Sequence, residues 1–430
     1  VGWDDTSWVR PRHRSLVKRL QRFATSSAWP QEHDVVLERL GTVAYVDHPI
    51  TTGPALFPDR HGLLAWESLL VRLADGSLGV AEALEALQQP QPPGRLDLRG
   101  ALAHALLEEA QRRERKAPAE ALPLYEGLIR AGASTQVHFR RGRCLEALGR
   151  PQEALQGILD ARALVPPAGR RTLARAGRRI ARGLRRGFPP EPPLAKPRVR
   201  TLDLERTGTD ARPCWTEERL PVEEAVLSWL GARGREGLHA EGRLWRSLFA
   251  LVFADAYFLP IPGALPVPRL AGPLDLGTDA FRRRRGLVDE RLGRVAAGHG
   301  AAIVADALDR YGGRRLAGLH PELPPAWLLR VATELPGPAL ARVLEALLVG
   351  RSRGLPDLYV GAGAAVRLPS HPTRLGADPL LVEVKGPGDT LSDAQRVWLD
   401  RLQRFGLAVE LWEVRESPCA GPDVPPQLQG

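Results

Sequence analysis

The chain has 430 residues, more than the ~100–200 of an ordinary domain, and 43% of them are hydrophobic, so two to four packed domains are expected. A formal charge of +10 and a pI near 10.2 favour polyanionic partners, because each Lys or Arg that meets a phosphate releases counterions. The most apolar region, residues 244–265, is broken by Arg246, Asp255, Pro260 and Pro262, so no membrane span is expected, and no secretory signal is found. Cys144, Cys214 and Cys419 lie far apart, form no CxxC pair and fit free thiols in a reducing cytosol rather than a zinc site.

Residues 1–95 read as a small mixed or helical region. Trp3, Trp8 and Trp29 are interleaved with Arg10, Arg12, Arg14, Lys18, Arg19 and Arg22. Such a pattern suits nucleic-acid binding, and equally a helix with a solvated basic face. The segment 88–94 (QQPQPPG) cannot continue a helix and marks a boundary.

Residues 96–188 are helical in pattern. Glu120-Ala121-Leu122 recurs as Glu153-Ala154-Leu155, and the stretch 143–166 has the character of a tetratricopeptide-type helix pair, whose period is about 34 residues. Such pairs bury their apolar faces by stacking and serve as scaffolding. The region closes on a basic helix carrying Arg170, Arg171, Arg175, Arg178, Arg179, Arg182, Arg185 and Arg186, several on one side. That side is either a phosphate contact or a solvated face. The proline-rich stretch 189–197 (PPEPPLAKP) is a linker. A helical and basic region over 96–200 is therefore followed by a final domain over 201–416 and a loose tail over 417–430.

The final domain holds the most informative pattern. Gly354-Leu355-Pro356-Asp357 leads into a short apolar strand, and Leu380-Leu381-Val382-Glu383-Val384-Lys385 forms a second. Side chains alternate along a strand, so Leu381, Glu383 and Lys385 share one face and Leu380, Val382 and Val384 the other. Burying Glu383 or Lys385 alone is costly, whereas a metal ion and its water account for both. Gly386-Pro387-Gly388 stops the strand. Ser392 and Gln395 have the spacing of a capping box, Trp398, Leu399, Leu402 and Phe405 continue a helical packing face, and Gly406 ends it. A last strand covers 408–414. The order is strand, strand, helix, strand, with the carboxylates at strand edges.

Pro356-Asp357 followed by Glu383-x-Lys385 is the pattern of PD-(D/E)xK nucleases. Phosphodiester hydrolysis needs a hydroxide in line with the leaving oxygen. Hard carboxylate oxygens suit Mg²⁺ or Mn²⁺, which lowers the pKa of bound water and offsets charge on the phosphate. An ammonium is a compact charge that orients the water or stabilises the developing oxyanion. Only Lys18, Lys116, Lys196 and Lys385 are lysines in this arginine-rich chain, which makes Lys385 informative.

Residues 381–387 (LVEVKGP), with Asp389, Leu391-Ser392, Gln395 and Trp398-Leu399, resemble the nuclease core of the Fanconi-associated nuclease family, a VRR-NUC domain. His239-Ala240-Glu241-Gly242 and residues 273–281 (PLDLGTDAF) resemble it further upstream. The resemblance spans roughly 215–416. It implies a multidomain, mostly α protein whose helical N-terminal and tetratricopeptide-like regions precede an α/β PD-(D/E)xK domain, with a SAP-like DNA-binding element ahead of the repeats. It implies that Glu241, Asp357 and Glu383, with the Val384 carbonyl, hold two divalent ions, Mg²⁺ or Mn²⁺, and that Asp357, Glu383 and Lys385 are catalytic. It further implies cutting of branched DNA at 5′ flaps, degradation from 5′ ends, and service in interstrand-crosslink repair at the bacterial nucleoid in the cytoplasm. The chain departs from animal members in lacking the Cys and His cluster of a ubiquitin-binding zinc finger, and its loop between Asp357 and Glu383 is long, which bears on DNA access.

Plainer readings exist for individual residues. Glu241 suits the first turn of a helix through the helix dipole. Asp275 and Asp279 read as turn or cap residues, and His239 as structural. Residues 282–285 (RRRR) are solvated or meet DNA. Gln395 reads as capping and packing rather than catalytic. A Holliday-junction resolvase on the same fold, or a DNA-repair scaffold with a defunct site, are the competing functions. The intact Asp357, Glu383 and Lys385 argue against the scaffold.

Overall fold

Five helices succeed one another through the middle of the chain: α1 (Leu96–Glu114), α2 (Pro118–Arg130), α3 (Thr135–Ala147), α4 (Pro151–Ala161) and α5 (Pro167–Gly183). The repeat seen in the sequence is structural. Pro118 and Pro151 each sit at the start of a helix, where a missing N–H costs nothing, and Ala121, Leu122, Ala154 and Leu155 are all buried. Glu114 ties three helices together, accepting from the Tyr125 hydroxyl at 2.7 Å and from Arg140 at 2.8 Å.

In this computed structural model the described residues are 40–51, 60–89, 96–132, 134–204, 206–207, 214–215, 220–265, 270–273, 280–349, 353–367 and 374–416. The tryptophan- and arginine-rich stretch before residue 40, the interior of the boundary at 88–94, Asp275, Asp279 and the tail after 416 lie outside them. Among the described residues no helix is long and apolar enough to cross a membrane. Two compact units emerge. One holds the helical region to Glu191 with Phe253–Val288 and Tyr311–Ala317; the other holds Pro192–Val252, Asp289–Arg310 and Gly318–Gly430.

The second unit is built on a five-stranded sheet. Its strands in chain order are β1 (Arg198–Leu204), β2 (Gly237–His239), β3 (Leu358–Val360), β4 (Leu380–Lys385) and β5 (Val409–Glu416), and they lie side by side as β1-β5-β4-β3-β2. β1, β5 and β4 are parallel, while β3 runs antiparallel to both of its neighbours. The expected alternation holds along β4. Leu380, Val382 and Val384 enter a core with Leu358, Val360, Trp412 and Val414, against Ala225, Val226, Trp229 and Leu230 of α6 (Val222–Gly231). Trp229 meets Trp412 edge-on with ring centroids 6.2 Å apart. Glu383 and Lys385 therefore point to the opposite face, that of α7 (Asp393–Arg404).

The α7 termini follow their sequence signals. Ser392 accepts from the Gln395 backbone N–H while the Gln395 side chain accepts from the Ser392 N–H at 2.8 Å, a complete capping box. Gly406, at φ +88°, closes the helix, and the Leu407 N–H reaches back to the Leu402 carbonyl.

The long loop from β3 to β4 springs from the far ends of these strands, away from Asp357 and Lys385. Its base is riveted by Arg235, which is fully buried. The guanidinium donates to the carbonyls of Gly361 at 2.6 Å, Gly376 at 2.5 Å, Asp378 at 3.0 Å and Ala364 at 3.2 Å. Four carbonyls converge on one side chain, so its removal strands several buried acceptors at once. We expect Arg235→Leu to lower stability by about 3 kcal/mol or more, read from urea unfolding, since each buried group left without a partner costs about 1–3 kcal/mol.

Candidate active site

Asp357 sits one residue before β3, held from both ends. Its backbone carbonyl accepts from the N–H groups of Ala240 at 2.6 Å and Glu241 at 3.2 Å, the two residues that follow β2. Its side-chain Oδ2 accepts from the Val384 N–H at 2.9 Å. Three segments far apart in sequence thus meet at one residue. The approach to it is also fixed. Gly354 adopts φ +93°, and a Cβ there would lie 2.7 Å from the carbonyl carbon of Ala394 in the first turn of α7. Only glycine satisfies both conditions.

Glu383 is completely buried. Its Oε1 receives Lys385 Nζ at 2.7 Å and is also hydrogen-bonded by the Gln395 side-chain amide. Its Oε2 is buried without a hydrogen-bond partner. Burial, and then the neighbouring Asp357 carboxylate, push the Glu383 carboxyl up to about 8. Burial also raises Asp357, against the pull of the Val384 N–H and Lys385. For Lys385, burial acts downward, but the hydrogen bond and charge of Glu383 outweigh it and raise the ammonium. Lys385 therefore stays charged.

Of the residues singled out in the sequence, Asp357, Glu383 and Lys385 are brought together, and the Val384 main chain joins them. Glu241 is adjacent through its backbone, but its side chain is two-thirds exposed and turned towards His239, Nε2 to Oε2 3.8 Å. Accordingly, among the described residues no three His, Cys, Asp or Glu side chains converge as a metal cluster. Gln395 does more than the sequence suggested. Its carboxamide oxygen is committed to the Ser392 N–H, which leaves the NH₂ to face Glu383. The capping spacing was visible in sequence; the second bond was not, because it depends on how α7 lies across the sheet.

The donor set suits a hard divalent cation. A buried carboxyl oxygen that no N–H donor reaches is expensive in a finished core unless it carries a proton, and a cation that displaces that proton would satisfy it. Asp357 and the main chain of Val384 stand alongside.

These features define a PD-(D/E)xK-type nuclease domain, and residues 319–416 match the VRR-NUC domain family. Such a domain implies dependence on divalent metal. Over 412 residues the chain is 30% identical to the Fanconi-associated nuclease 1 homologue of Pseudomonas aeruginosa, covering 94% of this chain and 69% of that one. The chain belongs to the Fanconi-associated nuclease 1 family. It is also 31% identical to the Oryza sativa homologue over 222 residues, 50% of this chain, and 29% identical to the Arabidopsis thaliana homologue over 293 residues, 64% of this chain. It spans only 22% and 32% of those two plant proteins. Among solved structures it is similar to paFAN1 bound to DNA with a one-nucleotide 5′ flap and a gap. The TM-score is 0.75 at 26% identity, covering 95% of this chain and 72% of that one. β1, β2 and Glu241 precede the segment matched to VRR-NUC, so that segment alone does not complete the sheet.

Two outcomes follow from this geometry. Because the folded Glu383 carboxyl is raised to about 8, the metal-free protein holds a proton there that a cation must displace. Mn²⁺ affinity should rise as pH increases from 6 to 8 with proton release, measured by titration calorimetry in buffers of different ionisation enthalpy. The sign for stability is opposite: the metal-free fold is favoured by this group below about 4.5 and loses that contribution as pH rises through about 8. Glu383→Gln should flatten both profiles.

The second outcome separates capping from positioning. Gln395→Glu keeps an acceptor for the Ser392 N–H but removes the donor to Glu383, whereas Gln395→Ala removes both. We expect Gln395→Glu to retain its melting temperature and lose about tenfold or more in cutting rate, since misplacing a reacting group by about 1 Å costs ~10²-fold. Equal cutting by Gln395→Glu and the parent would confine Gln395 to the helix cap.

Proposed function

We propose that this protein is a metal-dependent, structure-selective DNA nuclease. It would cut 5′-flapped and related branched DNA as an endonuclease, degrade from 5′ ends as an exonuclease, and serve interstrand-crosslink repair on the bacterial nucleoid in the cytoplasm. The observation that carries the reading is the buried, unpartnered Oε2 of Glu383 beside Asp357 and a charged Lys385. Family membership and the likeness to paFAN1 on flapped DNA support the choice of substrate.

In this reading Asp357, Glu383, the Val384 carbonyl and Glu241, whose side chain is exposed, would hold two Mg²⁺ or Mn²⁺ ions. Bound divalent ions supply an acidified water and offset phosphate charge. The chain's own residues do the rest. Gln395 and Lys385 occupy Glu383 Oε1, so only Oε2 is presented. The Val384 N–H fixes Asp357 Oδ2. Lys385 is positioned by Glu383 to offer its remaining N–H groups to a phosphate oxygen, where a compact cation lowers the cost of developing negative charge. As a raised, charged ammonium it acts as an electrostatic stabiliser and not as a base.

The test is a labelled 5′-flap duplex incubated with the protein and Mn²⁺, alongside EDTA. Metal-dependent incision near the branch is expected. No incision under any metal condition would sink the enzyme reading and leave the repair scaffold. Faster cutting of four-way junctions than of flaps would favour a resolvase. Asp357→Ala should abolish cutting while preserving flap binding; loss of both would assign Asp357 a folding role through its contacts to Ala240, Glu241 and Val384.

A further inference from the structure

The helix Arg243–Val252 starts just after Glu241, whose backbone N–H is bonded to the Asp357 carbonyl. Its start breaks a local rule. The N–H groups at the beginning of a helix favour acidic side chains, yet the first turn has none; Arg243 opens the helix and Arg246 stands one turn on. Three residues apart, the two guanidinium groups share one side and repel. Both have partners. Arg243 reaches Glu322 through one nitrogen at 3.4 Å, with both side chains more than half exposed. Arg246 donates Nε to the Gly242 carbonyl at 3.2 Å, an acceptor that carries no charge.

A loop is locked alongside these arginines. The fully buried Ser247 hydroxyl accepts from the His320 backbone N–H at 3.0 Å and donates to the Gly318 carbonyl at 3.5 Å. Gly318, at φ +90°, approaches so closely that a Cβ there would stand 3.3 Å from the Arg246 carbonyl. The loop thereby holds the half-buried His320 imidazole in the field of both arginines. Burial lowers the His320 pKa most, Arg246 and Arg243 lower it further, and Glu322 opposes them with the smallest effect. Glu322 therefore does not cancel the positive field of the cluster, and the imidazole is neutral at pH 7 with one ring N–H to offer.

We propose that Arg243, Arg246 and His320 form a subsite for one internal phosphodiester of the DNA strand that enters the nuclease centre, and that Glu322 holds the place of this phosphate in the DNA-free protein. The subsite rests on the proposed DNA nuclease reading and adds to it a group that positions the strand beside Glu241 and Asp357. The arginines need not be unpaired for this. An exposed ion pair contributes little to stability, so Glu322 is exchanged at small cost. A phosphate also fits a guanidinium through two parallel N–H bonds, which the single-nitrogen contact to Glu322 does not use. Contacts of this kind place the strand without reading its sequence.

The test uses the full chain in EDTA, with affinity for a 5′-flap duplex measured across salt concentration. Arg243→Gln with Arg246→Gln should weaken binding about tenfold and lower the log–log salt slope by about one, since each neutralised phosphate contributes about 0.9. A control pair, Arg150→Gln with Arg310→Gln, removes arginines from exposed ion pairs on other helices and should change the slope little. Glu322→Gln should act in the opposite sense and tighten binding several-fold. That gain should vanish when Arg243 and Arg246 are also substituted, the mark of groups that share one ligand. An unaltered slope in the Arg243 and Arg246 pair, an equal loss in the control pair, or a Glu322→Gln gain that persists without the arginines overturns the proposal. Flaps ending in a 5′ hydroxyl and a 5′ phosphate should respond alike; a loss seen only with the phosphorylated end overturns the assignment to an internal phosphodiester. Should the arginine pair melt lower than the parent, Glu322→Gln decides alone, and weaker or unchanged binding overturns the exchange. Cutting with Mn²⁺ is scored separately. Affinities that shift as expected with no cutting sink the nuclease reading and leave the subsite; cutting with unaltered affinities gives the converse.

Discussion

The second unit depends on how Asp357 is held. Its carbonyl fastens the segment after β2, and its carboxylate fastens the main chain of β4, so one residue links stretches of chain more than a hundred positions apart. The antiparallel placement of β3 between β2 and β4 makes this possible. It brings the start of β3 beside the end of both neighbours. Asp357, Glu383, Lys385 and the Val384 main chain then collect at that end of the sheet, and the β3–β4 loop starts from the other. The base of that loop, whose length in sequence suggests an effect on DNA access, is held by Arg235 and its four carbonyls.

Local rules reach far into this arrangement. The alternation along β4 separates Glu383 and Lys385 from Val382 and Val384 because a strand has period two, and nothing tertiary can change that. The capping box at Ser392 and the close at Gly406 are equally local, and both form as the residue types require. What is not local is not legible. Gln395 bonds Glu383 only because α7 crosses the sheet where Gly354 lets it approach. Arg235 is one arginine among many, and no periodicity marks it as the one to be buried. Glu241 is intermediate: the motif brings its backbone to Asp357, while its exposed side chain turns to His239.

The same electrostatics explain why the centre is costly to build. Two carboxyls share a buried pocket, each raised by the loss of water, and one oxygen has no partner. A fold selected for stability alone would fill this space with apolar side chains. The surrounding bonds do not relieve the cost but direct it. Lys385 and Gln395 both choose Oε1, concentrating the deficit on a single atom, Oε2. Under the proposed reading, a small hard cation would satisfy that atom without displacing the rest.

The identity of residue 385 follows from the same reasoning. Arginine is buried elsewhere in this unit where acceptors converge: Arg235 has four carbonyls, and Arg200 has both oxygens of Glu410, at 2.5 and 2.8 Å. A guanidinium has five donors in a fixed plane and tolerates burial only in such surroundings. At position 385 the neighbouring strand residue offers one oxygen. A guanidinium there would spend its fork on the carboxylate or leave donors stranded, and it would spread its charge over a plane. An ammonium satisfies Glu383 with one N–H and keeps its charge compact. In a chain that uses arginine for nearly every cation, the lysine stands where a single carboxylate oxygen, Glu383 Oε1, receives its ammonium, and under the proposed reading its remaining N–H groups would serve a phosphate.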